Sequence, residues 1–128
     1  MEIRSPDQVA LARRTVQEWA TTLAFGSLDR TKFVTAASEI ARNTLVHGQG
    51  GTMTISELDA EGRSGLQLVF QDEGPGIADI ERALTDGFST AKSMGLGLGG
   101  TRRLVNEFDI ESAPGKGCRV SLVQWKRR

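Results

Sequence analysis

The spacing of apolar residues changes from a helical to a strand period near Gly48. Two helical stripes come first, with apolar side chains three or four positions apart, as on one face of a helix. They comprise Val9, Ala12, Val16, Ala20 and Leu23, then Phe33, Ala37, Ile40 and Thr44. Three later segments alternate apolar and polar residues, which is the period of a β-strand. They contain Met53 and Ile55, then Leu66, Leu68 and Phe70, then Cys118, Val120 and Leu122. We therefore expect an α+β fold, a two-layer α/β sandwich in which helices cover one face of a mixed, mostly antiparallel sheet.

Boundary signals refine this pattern. Ser5 and Pro6 are typical of an N-cap followed by the first position of a helix. Ile3 and Ile110 lie in shorter strand segments. The remaining predicted segments are a hairpin loop (59–65), two helices (77–84 and 98–108) and an aperiodic segment suited to cover a ligand (86–94).

Length and charge limit the classes of function. A chain of 128 residues predicts one domain, spanning residues 1–128, with a hydrophobic core of its own. Sixteen Lys and Arg balance sixteen Asp and Glu, so the overall charge gives no basis for binding nucleic acid or a membrane. Cys118 is the only cysteine, which excludes an intramolecular disulfide and favours a reducing compartment. We expect a cytoplasmic protein that contacts neither nucleic acid nor membrane.

Glu39 and Asn43 are four positions apart in the second helical segment, so both side chains lie on one helix face. A carboxylate can accept a proton, and an amide oxygen can hold a hard cation such as Mg²⁺. Taken alone, such a pair is more typical of a solvated helix face. Its meaning therefore depends on the segments that follow it.

Two glycine-rich segments follow, at 72–76 and 95–100. In the first, Asp72 ends an apolar strand and can accept a hydrogen bond from an exocyclic amine such as that of adenine; an ordinary turn explains the same residues equally well. The second precedes a helix, where bare backbone amides can bind phosphate. It matches neither a Walker A loop nor a Rossmann fingerprint. The only histidine, His47, is typical of a structural position near a helix end, and Cys118 of a small core residue.

Together these segments resemble the superfamily of Bergerat-fold ATPases, which includes gyrase, Hsp90 and the histidine kinases. The resemblance rests on Glu39-xxx-Asn43, Asp72-x-Gly74-x-Gly76, Gly95-x-Gly97-x-Gly99 and the short Gly115-Lys116-Gly117, in that order. Within the superfamily, the phrase 38–43 and the short segment before Gly95 are similar to the anti-sigma-factor serine/threonine kinases, especially the switch kinases of the stressosome. Many members have Thr where this chain has Cys118.

The resemblance implies a role for each motif residue. Glu39 would be the catalytic base, Asn43 would bind Mg²⁺, and Asp72 would bind the adenine of ATP or ADP. Arg42 would assist a phosphate or form a structural ion pair. Cys118 would line the nucleotide site as a weaker hydrogen-bond partner than Thr. The remaining implied nucleotide-binding residues are Gly74, Gly76, Ile77, Gly95, Leu96, Gly97, Leu98 and Gly99.

The implied function is an ATP- and Mg²⁺-dependent protein serine/threonine kinase. It would phosphorylate STAS-domain proteins of a stressosome and regulate a downstream PP2C-type phosphatase. One alternative is an anti-sigma factor that sequesters a sigma subunit, with kinase activity secondary. Another is a small ATP hydrolase or a nucleotide-binding scaffold. The sequence leaves the oligomeric state open.

Overall fold

The computed structural model describes residues 1–76 and 97–127. The elements in chain order are β1 (Glu2–Ile3), α1 (Pro6–Thr22), α2 (Ser27–Val46), β2 (Gly51–Ala60), β3 (Arg63–Asp72), α3 (Gly97–Arg102), β4 (Glu107–Ser112) and β5 (Cys118–Trp125). The predicted helix 77–84 and the predicted covering segment 86–94 lie outside the described residues. None of the described helices is long and apolar enough to cross a membrane.

The five described strands form one sheet in the order β1-β2-β3-β5-β4, and each of their pairings is antiparallel. β3 is the central strand. Its last residue, Asp72, pairs with Gly51 at the start of β2 and with Cys118 at the start of β5. The α+β prediction, with helices on a mostly antiparallel sheet, is confirmed.

The core lies between the helices and one face of the sheet. The helical stripes predicted from the sequence supply one side of it, and alternate residues of the strands supply the other. The fully or almost fully buried residues include Ala12, Val16, Ala20, Phe33, Ala37, Ile40, Met53, Leu66, Leu68, Phe70 and Leu122. At roughly 25 cal/mol per Å² of buried apolar surface, this cluster is the main source of stability.

The helix ends are fixed by polar contacts. The Ser5 hydroxyl accepts a hydrogen bond from the Gln8 amide at 3.2 Å, as the predicted N-cap should. α2 has Gly26 as its N-cap, with no side-chain cap hydrogen bond. Instead, the buried Asp29 in its first turn accepts hydrogen bonds from Arg127 Nε at 2.6 Å and Nη2 at 3.1 Å. This pair fastens the start of α2 to the chain that follows β5.

Two sequence predictions of segment boundaries were wrong. The β2–β3 connection is a two-residue turn rather than a loop over 59–65, because Glu61 and Gly62 both take positive φ, of 55° and 77°. The helix predicted over 98–108 ends at Arg102. Asn106 instead binds β5: its amide donates to Gln124 Oε1 at 2.9 Å, and its side-chain oxygen accepts from the Trp125 amide at 2.7 Å.

Candidate active site

α2 presents the predicted base and the predicted metal ligand at the border of its buried face. The Glu39 side chain is 16% exposed and Asn43 is half-buried, one turn further along. Arg42 Nη1 lies 3.0 Å from Glu39 Oε1 and forms an ion pair with it. The structural role foreseen for Arg42 is therefore present, while its contact with a phosphate stays a prediction.

The end of α2 lies directly against Asp72. The Gly48 amide donates to the Asn43 carbonyl at 3.1 Å as the helix finishes. A Cβ atom added to Gly48 would overlap the carboxyl group of Asp72, so only glycine lets this carboxylate lie against the helix end. Asp72 Oδ1 also accepts a hydrogen bond from the Gly74 amide at 2.9 Å. These two contacts fix the orientation of the carboxylate against Gly48, just beyond the end of α2.

The segment after Asp72 packs against the loop that joins β4 to β5. The Pro75 carbonyl accepts a hydrogen bond from the Gly115 amide at 2.8 Å. Gly76 has φ of 78°, and a Cβ there would overlap the Ala113 carbonyl oxygen. The first and third glycine motifs of the sequence thus form one interlocked unit at the end of β3.

Cys118 stands opposite Asp72 across the β3–β5 pairing and is half-buried. Burial raises the pKa of the Cys118 thiol to about 11, and the charge of Asp72 adds to the rise, while a hydrogen bond with Ser112 opposes it. The side chain is therefore a neutral thiol at physiological pH. It lies beside the carboxylate that the sequence assigns to adenine.

Alkylation of Cys118 by iodoacetamide should be slow near neutral pH, because only the thiolate reacts. With a pKa of about 11, the rate at pH 8 should be at least ~100-fold below that of an ordinary cysteine with a pKa of about 8.5. The rate should then rise about tenfold per pH unit towards pH 10. Intact mass after timed alkylation of native and urea-unfolded protein measures this. Equal rates for the two forms at pH 8 would contradict the structure.

α3 places part of the second glycine motif beside α2. Gly99 is buried, Leu98 packs against the hydrophobic core, and Thr101 is fully buried. α3 packs against α2, the helix that carries Glu39 and Asn43. Gly97, Leu98 and Gly99 therefore belong to the helix that packs against α2. Ile77, Gly95 and Leu96 lie outside the described residues, so their predicted contacts with nucleotide stay predictions.

The side-chain oxygen atoms of Asn43 and Asp72 suit a magnesium ion and a nucleotide, respectively. Asn43 offers a single amide oxygen, and Mg²⁺ bound through one protein ligand takes the others from phosphate oxygens and water. Asp72 offers a fixed carboxylate that can accept from an amino group. The structure thus places the predicted metal ligand and base on α2 and the predicted adenine-binding carboxylate against its C-terminal end.

Sequence reasoning missed three residues that shape this region. The first is Gly48, whose contact with Asp72 joins residues that are distant in the chain and so leaves no local sequence signal. Arg13 and Arg30 lie with Glu39 along a groove between α1 and α2. The two arginines come together only when α1 packs against α2, and the sequence alone does not show that packing.

Known proteins resemble this chain over most of its length. Residues 4–123 match the model of the histidine kinase-like ATPase domain. The serine/threonine-protein kinase RsbT of Bacillus subtilis strain 168 is 37% identical over 119 residues, which are 93% of this chain and 90% of that protein. The anti-sigma F factor of Thermoanaerobacter sp. strain X514 is 30% identical over 122 residues, covering 91% of this chain and 84% of the relative.

Two solved structures share the fold. The structure of the RsbU and RsbW domains of a Mycobacterium tuberculosis protein superposes with a TM-score of 0.62 at 18% identity; it covers all of this chain, which spans 33% of that longer one. The mycobacterial sensor histidine kinase MprB superposes with a TM-score of 0.57 at 20% identity, covering 77% of this chain and 72% of MprB.

Proposed function

Because the chain belongs to the histidine kinase-like ATPase family and is a protein serine/threonine kinase, we propose that it acts on STAS-domain proteins in a partner-switching pathway. It transfers the γ-phosphoryl group of ATP to a Ser or Thr of the STAS-domain protein. Once released from these substrates, the chain itself regulates a PP2C-type phosphatase. The proposed site of action is the cytoplasm. The similarity to RsbT over nearly the whole chain supports this choice of pathway.

One observation carries the mechanistic proposal: Glu39 and Asn43 lie one turn apart on α2, whose end holds Asp72 in a fixed orientation. Asp72 binds the adenine amino group and so sets the position of the triphosphate. Asn43 contributes one ligand to Mg²⁺, which when bound neutralises phosphate charge. Such positioning and charge neutralisation supply most of the catalysis in phosphoryl transfer.

Glu39 acts on the nucleophile. The substrate hydroxyl oxygen forms a bond to the γ-phosphorus as the bond from that phosphorus to the β–γ bridging oxygen breaks, and ADP leaves with the electron pair of the broken bond. The hydroxyl proton passes to a Glu39 carboxylate oxygen. Its partial burial and its ion pair with Arg42 hold this carboxylate in place.

A second function has support of its own. The 30% identity to the anti-sigma F factor favours binding of an RNA polymerase sigma subunit, with the kinase reaction regulating that complex. Co-purification with a sigma factor in a fixed ratio would support this function.

The test of the first proposal is phosphoryl transfer from Mg-ATP to a purified STAS-domain protein from the same genome, followed by intact mass. The expected result is the gain of one phosphoryl group on Ser or Thr, abolished by EDTA. Binding of a fluorescent ADP analogue is measured in parallel. No transfer to any STAS-domain protein, with nucleotide bound, would contradict the proposal and favour the sigma-binding alternative.

A further inference from the structure

A groove of about 390 Å³ is lined by residues of α1 and α2. We call it the arginine groove, because Arg13 of α1 and Arg30 and Arg42 of α2 line it. Hydroxyl groups of Thr31, Thr35 and Ser38 lie between them along α2. Its lining is therefore positively charged and rich in hydrogen-bonding groups.

The charge of the arginine groove is unusual for this chain. Lys and Arg balance Asp and Glu overall, yet the groove has three arginines and one lining carboxylate, Glu39. Arg42 is the partner of that carboxylate. Within residues 1–76 and 97–127, Arg13 and Arg30 take part in no ion pair. Two guanidinium groups thus line a groove whose one lining carboxylate among the described residues, that of Glu39, is paired with Arg42.

The position of the groove links it to catalysis. Glu39, the proposed base, is itself a lining residue. A polypeptide segment in the groove would bring a hydroxyl group to Glu39 while its own acidic side chains met Arg13 and Arg30. The threonine and serine hydroxyls can bond the main chain of such a segment, and guanidinium groups pair with carboxylates through two parallel hydrogen bonds.

We propose that the arginine groove is the docking site for an acidic segment that flanks the phosphoacceptor Ser or Thr of the protein substrate. This inference rests on the proposed kinase function, because it assigns the substrate chemistry of the same site. The groove selects substrates by charge, and Glu39 at its margin acts on the hydroxyl that the docked segment delivers.

Binding of two labelled peptides to the full chain, followed by fluorescence anisotropy, tests the proposal directly. Both peptides contain one Ser, and the Asp and Glu residues of the first are Asn and Gln in the second. The acidic peptide should bind at least ~10-fold more tightly, and its affinity should fall as salt rises, because the pairs are exposed. Arg13→Gln and Arg30→Gln should each weaken acidic-peptide binding by roughly 3- to 10-fold.

Arg14→Gln is the matched control, since Arg14 is exposed on the same helix and does not line the groove. It should leave the affinity for the acidic peptide unchanged. Equal binding of the two peptides would overturn the proposal, as would a loss in Arg14→Gln as large as that in Arg13→Gln.

Two further readouts separate this inference from the kinase proposal. Affinity for fluorescent ADP should be the same in Arg13→Gln and Arg30→Gln as in the unmodified chain; a parallel loss would identify a phosphate site and overturn the docking proposal. With a STAS-domain protein that the unmodified chain phosphorylates, the two variants should raise KM for that protein and leave kcat unchanged. Selective binding of the acidic peptide without transfer to any protein would contradict the kinase reaction and leave the docking site standing.

Discussion

Glu39→Gln should lower the rate of phosphoryl transfer by at least ~100-fold, because general-base catalysis by a positioned side chain contributes about 10²- to 10⁴-fold. The amide has nearly the shape of the carboxylate but cannot accept the hydroxyl proton. Affinity for ATP and ADP should change little, since Glu39 lines the arginine groove and the proposed adenine-binding residue is Asp72. Single-turnover transfer to a STAS-domain protein and binding of fluorescent ADP measure the two quantities.

Two control variants give this result its meaning. Glu18→Gln makes the same chemical change at an exposed position of α1 and should leave both quantities unchanged. Arg42→Gln removes the ion pair with Glu39 but keeps the base, so its loss of rate should be much smaller than that of Glu39→Gln. Equal losses of rate in Glu39→Gln and Arg42→Gln would show that the reaction requires the ion pair and not proton abstraction by Glu39.

Asp72→Asn should reduce affinity for ATP by roughly 10- to 100-fold, the cost expected for a hydrogen bond to a charged group of about 1.5–3 kcal/mol. The asparagine oxygen can keep the hydrogen bond that Oδ1 receives from the Gly74 amide. The new amino group then stands where the second carboxylate oxygen was, and it repels the adenine amino group. The same amino group can donate to the 6-oxo group of hypoxanthine.

The preference of Asp72→Asn should therefore move from adenosine towards inosine nucleotides. Titration of both diphosphates by calorimetry, with thermal unfolding as a check of the fold, measures the change. Cys118→Thr is a suitable control because it alters the residue that pairs with Asp72 and introduces a stronger hydrogen-bonding group; it should retain the adenosine preference. An unchanged ratio of the two affinities in Asp72→Asn would refute adenine recognition by this carboxylate.

The layers of the fold were predictable because burial sets a local period. The stripe from Val9 to Leu23 and the alternation around Leu68 each follow from which side faces the core. The error over 98–108 has a different origin. Leu104 and Val105 are apolar, as expected for the buried face of a helix. The hydrogen bonds of Asn106 to β5 instead direct the chain into β4. A contact with a strand so far along the chain leaves no local pattern.

The same distinction divides the candidate site. Glu39 and Asn43 were found because four positions on a helix are one turn. The contact of Gly48 with Asp72 could not be predicted in this way, because it depends on where the sheet places the end of β3. The pair of Asp29 with Arg127 joins residues 98 positions apart, and the arginine groove needs two helices side by side. Local spacing predicts which groups are present, and tertiary packing decides what they meet.

α2 is continuous from Ser27 to Val46, so the spacing between the groups that it carries is fixed. Arg30 and Glu39 are nine positions apart on it, which is about 13.5 Å along the axis at 1.5 Å per residue and about half a turn around it. An extended peptide advances about 3.3 Å per residue, so it covers that span in roughly four residues. The half turn adds to this distance, so a docked segment would be selected by spacing as well as by charge: an acidic side chain at least about four positions from the phosphoacceptor meets Arg30 when the hydroxyl meets Glu39.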